Sequence, residues 1–521
     1  VTSPDRVYQR RWKMLAVLSL SMVIIGLDNT IVNVALPTLQ TTFAASASDL
    51  QWIVDAYLLV FAAVLLTMGT LGDRYGRKRA LQAGLLIFGA ASAAVLLAGS
   101  VDQLIALRVL MGIGAALIMP ATLSIITNVF PLEERGRAIG VWAGTAAIGI
   151  GLGPVTGGLL LEAFSWQSVF LVNVPVAAAA LLLGIWLVPD SRDPRPGRFD
   201  LPGSGLSAAA LLTFVWAVIE APSRGWTDPA VLAGVGAAAL LAVAFVLWER
   251  RTASPMLDLT YFRNPRFSIG SLSISIIFFS LMAAIFALTQ FLQFAHGYSA
   301  LQAGATMIPL ALGLMLSATN SARLVARFGT KRVVAAGMLL LALILSLTVL
   351  WTPTMSVWSV AVWVFVVGLA MGSVMAPATD AVMGSVPRAK AGVASAMNDV
   401  TRQVGGALGV AIVGSLIDTV YTGRIGEAAA KLPAALRGPV ESSIGGANAV
   451  AAKLPASMGD RLSSVAADAF TTALGYGLVA AATIAVLGAL VALRKLPARH
   501  RAPSEGSEHP SALELGAEAD G

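Results

Sequence analysis

Apolar residues in this chain come in long unbroken runs, not in the alternation of a half-buried strand or the single stripe of a surface helix. Crossing a bilayer takes about 20 apolar residues. Fourteen stretches meet that length, at 13–37, 50–71, 80–99, 103–128, 137–161, 166–188, 203–219, 230–248, 266–294, 301–325, 333–351, 356–386, 391–417 and 471–493. Each predicts a membrane-crossing helix, because a helix satisfies its own backbone groups in lipid. The basic start RVYQRRWK could open a signal peptide, but the run behind it is too long and many spans follow, so it reads as the first transmembrane helix.

Composition agrees. Only 12% of the 521 residues are charged and 57% are hydrophobic, with a mean hydropathy of +0.79, whereas soluble domains carry about 25% charged residues. The net charge of +7 would suggest nucleic acid in a soluble protein. Here the basic residues sit in short loops, where membrane orientation explains them, and no nucleic-acid partner is expected. Alternate loops hold Arg74/Arg77/Lys78/Arg79, Arg135/Arg137, Arg192/Arg195/Arg198, Arg250/Arg251/Arg263/Arg266, Arg327/Lys331/Arg332, Arg388/Lys390 and Arg494/Lys495/Arg499/Arg501. The opposite loops hold Arg224 and little else before the long segment 418–470, which the rule exempts. Both termini are therefore expected in the cytoplasm. The chain has no cysteine, which excludes disulfides, thiol catalysis and cysteine-ligated metals.

The chain also repeats itself. LGDRYGRKR (71–79) matches LVARFGTKR (324–332), and PATLSIITNVFP (120–131) echoes PATDAVMGSVP (377–387). The expected organisation is a six-helix half at 1–189, a linker with two extra spans at 190–263, a second six-helix half at 264–497 and a disordered cytoplasmic tail at 498–521. Paired six-helix halves are an architecture of secondary transporters.

Four motifs make a resemblance specific. LDNTIVNVALP (27–37) on the first predicted helix, GTLGDRYGRK (69–78) in the loop after the second, LIALRVLMGIGAA (104–116) on the fourth and GIGLGPVTGG (149–158) on the fifth stand in this order along the chain. In them the chain resembles the major facilitator superfamily, in particular its drug:proton antiporter family with fourteen spans, over nearly its whole length. The resemblance implies an all-α polytopic membrane protein of the major facilitator fold, two six-helix halves plus two inserted transmembrane helices. It also implies export by alternating access, with no cofactor and a proton gradient as energy source.

Acids inside spans are the first candidates for chemistry, since they are costly in lipid unless protonated, paired or facing a cavity. Asp28 lies about 22 Å along its helix from Lys13, and Arg108 lies at a similar depth on the fourth span. The two form a candidate proton-coupling pair, or a purely structural one. Asp55 near the outer end of the second span carries a proton, recruits a cation or is simply hydrated. Asp380 stands where the first half has Leu123, so the shared fold does not require it, although it also lies near a helix end. Asp399 is three residues before Arg402 and can pair with it along one helical face; substrate or a proton then competes for that pair. Candidate substrate contacts are Asp28, Asn33, Tyr57, Phe61, Phe286, Gln290, Asn398 and Arg402, in which aromatic rings suited to greasy molecules stand beside amide and charged groups.

Gly69, Asp73, Arg74, Gly76, Arg77 and Lys78 form a candidate conformational latch, or merely a positive-inside loop. The second copy has Ala326 in place of Asp73, so a full latch is expected only in the first half. Gly149, Gly153 and Gly157 recur every fourth residue and let another helix approach, Pro154 invites a kink, and Gly158 completes the motif. The resemblance makes this the antiporter motif, at the interface between halves. Segment 418–470, with AAKLPA at 429–434 and 451–456, is expected as two short helices or a hairpin capping the outer mouth, or as a tolerated insertion.

No phosphate-binding loop or metal-ligating histidine cluster occurs. The expectation is no metal, no ATP-driven step and no enzyme, but a monomeric proton-coupled multidrug exporter of lipophilic, cationic drugs in a bacterial cytoplasmic (inner) membrane. An exporter dedicated to one antibiotic or metabolite shares every motif, and a non-transporting membrane sensor is the rival of another class.

Overall fold

The computed structural model describes residues 4–43, 45, 47–194 and 198–497. The tail 498–521 and Arg195 lie outside the described residues. Among those described, the chain is helical without a strand, and fourteen helices are long and apolar enough to cross a membrane.

The first half comprises α1 (Pro4–Phe43), α2 (Ala47–Tyr75), α3 (Arg77–Ala94), α4 (Val101–Val129), α5 (Leu132–Ala163) and a sixth span broken into α6 (Ser168–Leu171) and α7 (Asn173–Leu187). An inserted hairpin follows, α8 (Leu201–Arg224) and α9 (Pro229–Glu249). The second half comprises α10 (Pro265–Gln290), α11 (Ala300–Ala305) with α12 (Ile308–Phe328), α13 (Thr330–Ser346), α14 (Val357–Met383), α15 (Ala391–Ala429) and, after α16 (Ala434–Ser442) and α17 (Ile444–Ala451), α18 (Ala456–Lys495). Local signals set several starts. Asp228 caps α9 by accepting from the Ala230 and Val231 amides, Asn264 caps α10 by accepting from the Arg266 amide, and Pro229 and Pro265 occupy first turns, where a missing N–H costs nothing.

Pairings recur between the halves. The contact of α1 with α5 is repeated by α10 with α15, α2 with α4 by α12 with α14, and α3 with α7 by α13 with α18. Pro120 and Pro377, each opening a Pro-Ala-Thr triplet, sit inside α4 and α14. The halves meet where α2 packs on α15 and α5 on α12, and α8 leans on both α2 and α15. For orientation we call the end carrying the N-terminus and the arginine-rich turns the basic face.

The two largest boundary differences from the hydropathy reading lie around segment 418–470. Helix α15 continues to Ala429 and α18 begins at Ala456, because the alanine, glutamate and arginine that end an apolar run still favour a helix. The remainder of segment 418–470 forms α16 and α17, which pack on α15 and α18. Tyr421 Oη donates to Val440 O at 3.1 Å, and Asn448 Nδ2 donates to Phe294 O at 2.8 Å. The segment is thus docked on the second half, and one anchor lies in the π-helical turn Phe291–Ala295 that ends α10.

Candidate functional site

Asp28, inside the first span, has no exposed surface. Arg108 Nη1 on α4 lies 2.6 Å from Asp28 Oδ2, and Asn173 Nδ2, at the start of α7, donates to Oδ1 at 3.2 Å. The guanidinium is held from other sides as well: its Nε donates to Ile53 O at 3.0 Å, and its carbon lies 4.4 Å from the Tyr57 ring centroid. These neutral partners would keep Arg108 in place if Asp28 took a proton, whereas an ion pair alone would leave a buried cation stranded. The structure brings together Asp28, Arg108 and Tyr57 of the sequence candidates. Asn173 escaped the sequence reading, since an asparagine at a break in an apolar span looks like a turn residue.

Tyr57 and Phe61 stack nearly parallel, 6.0 Å between centroids, and are 1% and 2% exposed. Across from them a Cβ on Gly112 would lie 2.7 Å from Tyr57 O, so α2 and α4 nearly touch. In the sequence both rings are candidate pocket residues, with packing against neighbours as the alternative. In this conformation they are packing, with the Tyr57 hydroxyl buried and unpartnered beside the ion pair. Asn33 is exposed, and Gln290 ends α10, half-buried. Phe286 packs its ring against Gly414 of α15. Asp55, half-buried on α2, bonds to Gln51 and feels Glu220 of α8, which itself pairs with Arg224 at 2.6 Å.

In the second half Asp399 and Arg402 are 1% and 5% exposed, and their ion pair spans 3.5 Å. It is poorly satisfied: both Asp399 oxygens, Arg402 Nε and Nη2 and Asn398 Nδ2 are buried without hydrogen-bond partners, although Asn398 Oδ1 accepts from Thr379 Oγ1 at 3.3 Å. The guanidinium instead lies between rings, 4.9 Å from Trp142 and 5.4 Å from Phe278. Trp142 belongs to α5 in the other half. Its Nε1 donates to Thr122 Oγ1 at 3.1 Å, fixing the indole plane.

At the basic face the halves are stitched together. Asp73, 3% exposed at the end of α2, accepts from the amides of Gly392 at 2.8 Å and Val393 at 3.0 Å, the first turn of α15. A carboxylate there satisfies donors that a helix leaves free and meets the positive end of its dipole. Arg77 grips Asp73 Oδ1 through Nε and Nη2, at 2.9 and 2.7 Å, and Nη2 donates on to Arg388 O and Ala389 O. Gly76, at φ 113°, makes the turn that brings Arg77 back over Asp73. A Cβ on Gly69 would meet Gly392 O at 2.6 Å. Lys78 Nζ donates to Ile185 O at 2.7 Å, while Arg74 lies 5.5 Å from the Tyr75 ring. At the position matching this latch, Gly136 of α5 faces only the Ala322 methyl of α12, at 3.6 Å from its Cβ position, and Ala326 is exposed. Asp380 on α14 acts electrostatically on the buried Arg135 of α5.

The glycine motif of α5 lies elsewhere than expected. Cβ atoms on Gly149 and Gly153 would stand 2.6 Å from Val23 O and 2.0 Å from Thr30 Oγ1, and one on Gly157 3.0 Å from Ile31. All three therefore face α1 within the same half, not the interface between halves. The contact with the other half uses an earlier register of the same helix, Gly136, Gly140 and Gly144 against Ala322, Ala318 and Met315 of α12. Gly158 has no neighbour within 4 Å of its Cβ position. Helix α5 is continuous through 154; the Pro154 side chain lies outside the described residues.

Two repeated helical halves, an inserted hairpin, ion pairs buried inside spans and a charge-stitched face define a polytopic membrane transporter. The chain belongs to the Major Facilitator Superfamily, whose family profile matches residues 18–410, and its fourteen spans and drug-resistance relatives place it in the drug:proton antiporter family with fourteen spans. It is 37% identical over 493 residues to the multidrug efflux pump LfrA of Mycolicibacterium smegmatis, covering 94% of this chain and 97% of that one. It is 34% identical over 511 residues to the tetracenomycin C resistance and export protein of Streptomyces glaucescens, covering 95% and 94%. The fold matches the proton:xylose symporter XylE bound to 6-bromo-6-deoxy-D-glucose, with a TM-score of 0.59, 16% identity and coverage of 93% and 96%.

Proposed function

We propose that this protein is a proton-coupled efflux transporter of a bacterial cytoplasmic membrane, exporting lipophilic, cationic compounds by alternating access as a monomer. The basic face is then cytoplasmic and both termini lie on that side. The conformation described is the one closed toward the cytoplasm by the Asp73 latch. The observation carrying the reading is the sealed Asp28–Arg108 pair, whose arginine keeps neutral partners of its own. Such an acid exchanges a proton without collapsing its surroundings. If the deprotonated site binds drug better, bound drug must by linkage weaken proton binding. The Asp399–Arg402–Asn398 cluster, an ion pair at 3.5 Å whose buried polar atoms are short of hydrogen bonds, offers the second half's contacts to substrate or a second proton, while Asp55 with Glu220 and Asp380 with Arg135 are further acids for coupling. The proton gradient is the energy source, with no cofactor and no enzymatic step.

The test is uptake of a cationic dye into proteoliposomes holding inside-out protein under an imposed pH gradient. Wild type should accumulate dye and Asp28→Asn should not, while still binding it. Equal uptake by both would move coupling to another acid.

A second reading, export of a single antibiotic, draws support from the near full-length likeness to the tetracenomycin C export protein. A panel of chemically unrelated substrates separates the two, since only the multidrug reading tolerates several.

A further inference from the structure

Segment 188–200, which leads from α7 into the α8–α9 hairpin, looks in the sequence like an ordinary charged loop. In the structure its residues 190–193 run along the latch. Arg77 N donates to Ser191 O at 2.9 Å, and Asp193 N donates to Asp73 O at 2.7 Å. Asp190 Oδ1 lies 3.0 Å from where a Cβ on Gly76 would stand, so its side chain closes over the glycine turn. Asp193 is 5% exposed, and its Oδ2 lies 3.1 Å from Lys390 Nζ, on the turn that enters α15 in the other half. The hairpin's second connection arrives at the same place: Tyr261, in the turn Leu259–Arg263, has its phenol pushed up by burial and by the neighbouring Asp258, Asp73 and Asp193 carboxylates.

We infer that Asp193 is a positioning residue of the closed basic face, a second arm of the latch whose pairing with Lys390 ties the α8–α9 insertion to the opening of that face. This rests on the alternating-access reading above. Asp73 and Arg77 hold the other half through main-chain amides and carbonyls, which any sequence would supply. The Asp193–Lys390 link is made by side chains, so it can be removed or reversed without touching that main-chain grip. The pair is also lopsided, because Lys390 is 40% exposed while the Asp193 carboxylate is 6% exposed. Removing the lysine deprives a buried carboxylate of this cation, whereas removing the carboxylate leaves a lysine that water solvates. Lys390→Gln should therefore open the face more than Asp193→Asn does.

The chain has no cysteine, so spin labels at introduced Arg79→Cys on α3 and Phe328→Cys on α12 report the separation of the halves at the basic face in nanodiscs. The expected result is an about fivefold loss of the short-distance population in Asp193→Asn, a larger loss in Lys390→Gln, and recovery in the charge-reversed pair Asp193→Lys with Lys390→Asp. Recovery by reversal is a readout that a merely structural role would not give. If Asp73→Asn opens the face while Asp193→Asn and Lys390→Gln leave the distances of wild type, the inference fails and the latch reading stands. If Asp73→Asn also leaves them unchanged, both fail.

Discussion

The Arg402 guanidinium of α15 lies 4.9 Å from the Trp142 ring of α5, a cation of one half resting on an aromatic face of the other. Its own carboxylate partner, Asp399, stands off at 3.5 Å. A desolvated cation–π contact contributes about 2 kcal/mol. Trp142→Ala should therefore lower thermal stability by an amount of that order and impair transport, while Trp142→Phe keeps part of both. Thr122→Val, which removes the indole's acceptor along with the hydroxyl's own bonds to Met119 O and Met22 Sδ, should fall between wild type and Trp142→Ala in thermal melts of purified protein.

Removing one partner of a buried ion pair costs about 3–5 kcal/mol, because the other charge is left uncompensated. Arg108→Ala should destabilise by that order, since Asp28 is fully enclosed. The double variant Asp28→Asn with Arg108→Gln should regain most of the stability and none of the gradient-driven uptake. Melting curves and dye uptake on the same preparations check this, and uptake by the double variant would reduce the pair to a structural feature.

Gly149 and Gly158 belong to one motif but should respond oppositely. A methyl on Gly149 meets the main-chain oxygen of Val23 at 2.6 Å, whereas one on Gly158 meets nothing within 4 Å. Gly149→Ala must push α1 and α5 apart, at an overpacking cost of about 1–3 kcal/mol. Gly158→Ala should melt with wild type. Equal melting temperatures for the two would contradict the α1–α5 packing.

His296 follows the π-helical turn, with its ring 4.8 Å from Phe291 and 5.7 Å from Tyr298, and burial lowers its imidazole below the ordinary histidine value. The fold therefore favours the neutral ring. That stabilisation is complete above about pH 6.5, the unfolded value, and is lost as pH falls through the lower folded value. Melting temperature should drop more steeply with acidification below that pH in wild type than in His296→Gln.

Asp28 with Arg108 was legible in the sequence because depth along a straight helix is a count of residues, and short loops fix where each helix enters. Asp399 with Arg402 was legible because both lie on one helix. The latch was visible only in part: the Asp73 side chain announces itself, but its acceptor site is made of Gly392 and Val393 amides, which any residue carries. Trp142 over Arg402, and Asp193 beside Lys390, depend on how two halves of the chain are set against each other, and no local pattern encodes that register. The same limit misplaced the α5 glycines, since a four-residue spacing says that a helix comes close but not which one.

The two glycine registers of α5 make that helix a spine shared by both halves. Toward α1, Gly149 and Gly153 admit a main-chain oxygen and a hydroxyl into their grooves and so key the helix in place. Toward α12, the Cβ position of Gly136 stands 3.6 Å from the Ala322 methyl, that of Gly140 2.8 Å from the main chain of Ala318, and that of Gly144 2.9 Å from the Met315 side chain. One helix thus carries two close-fitted seams on different stretches of its length, so a methyl added at Gly149 strains the seam within the half and one added at Gly140 the seam between the halves.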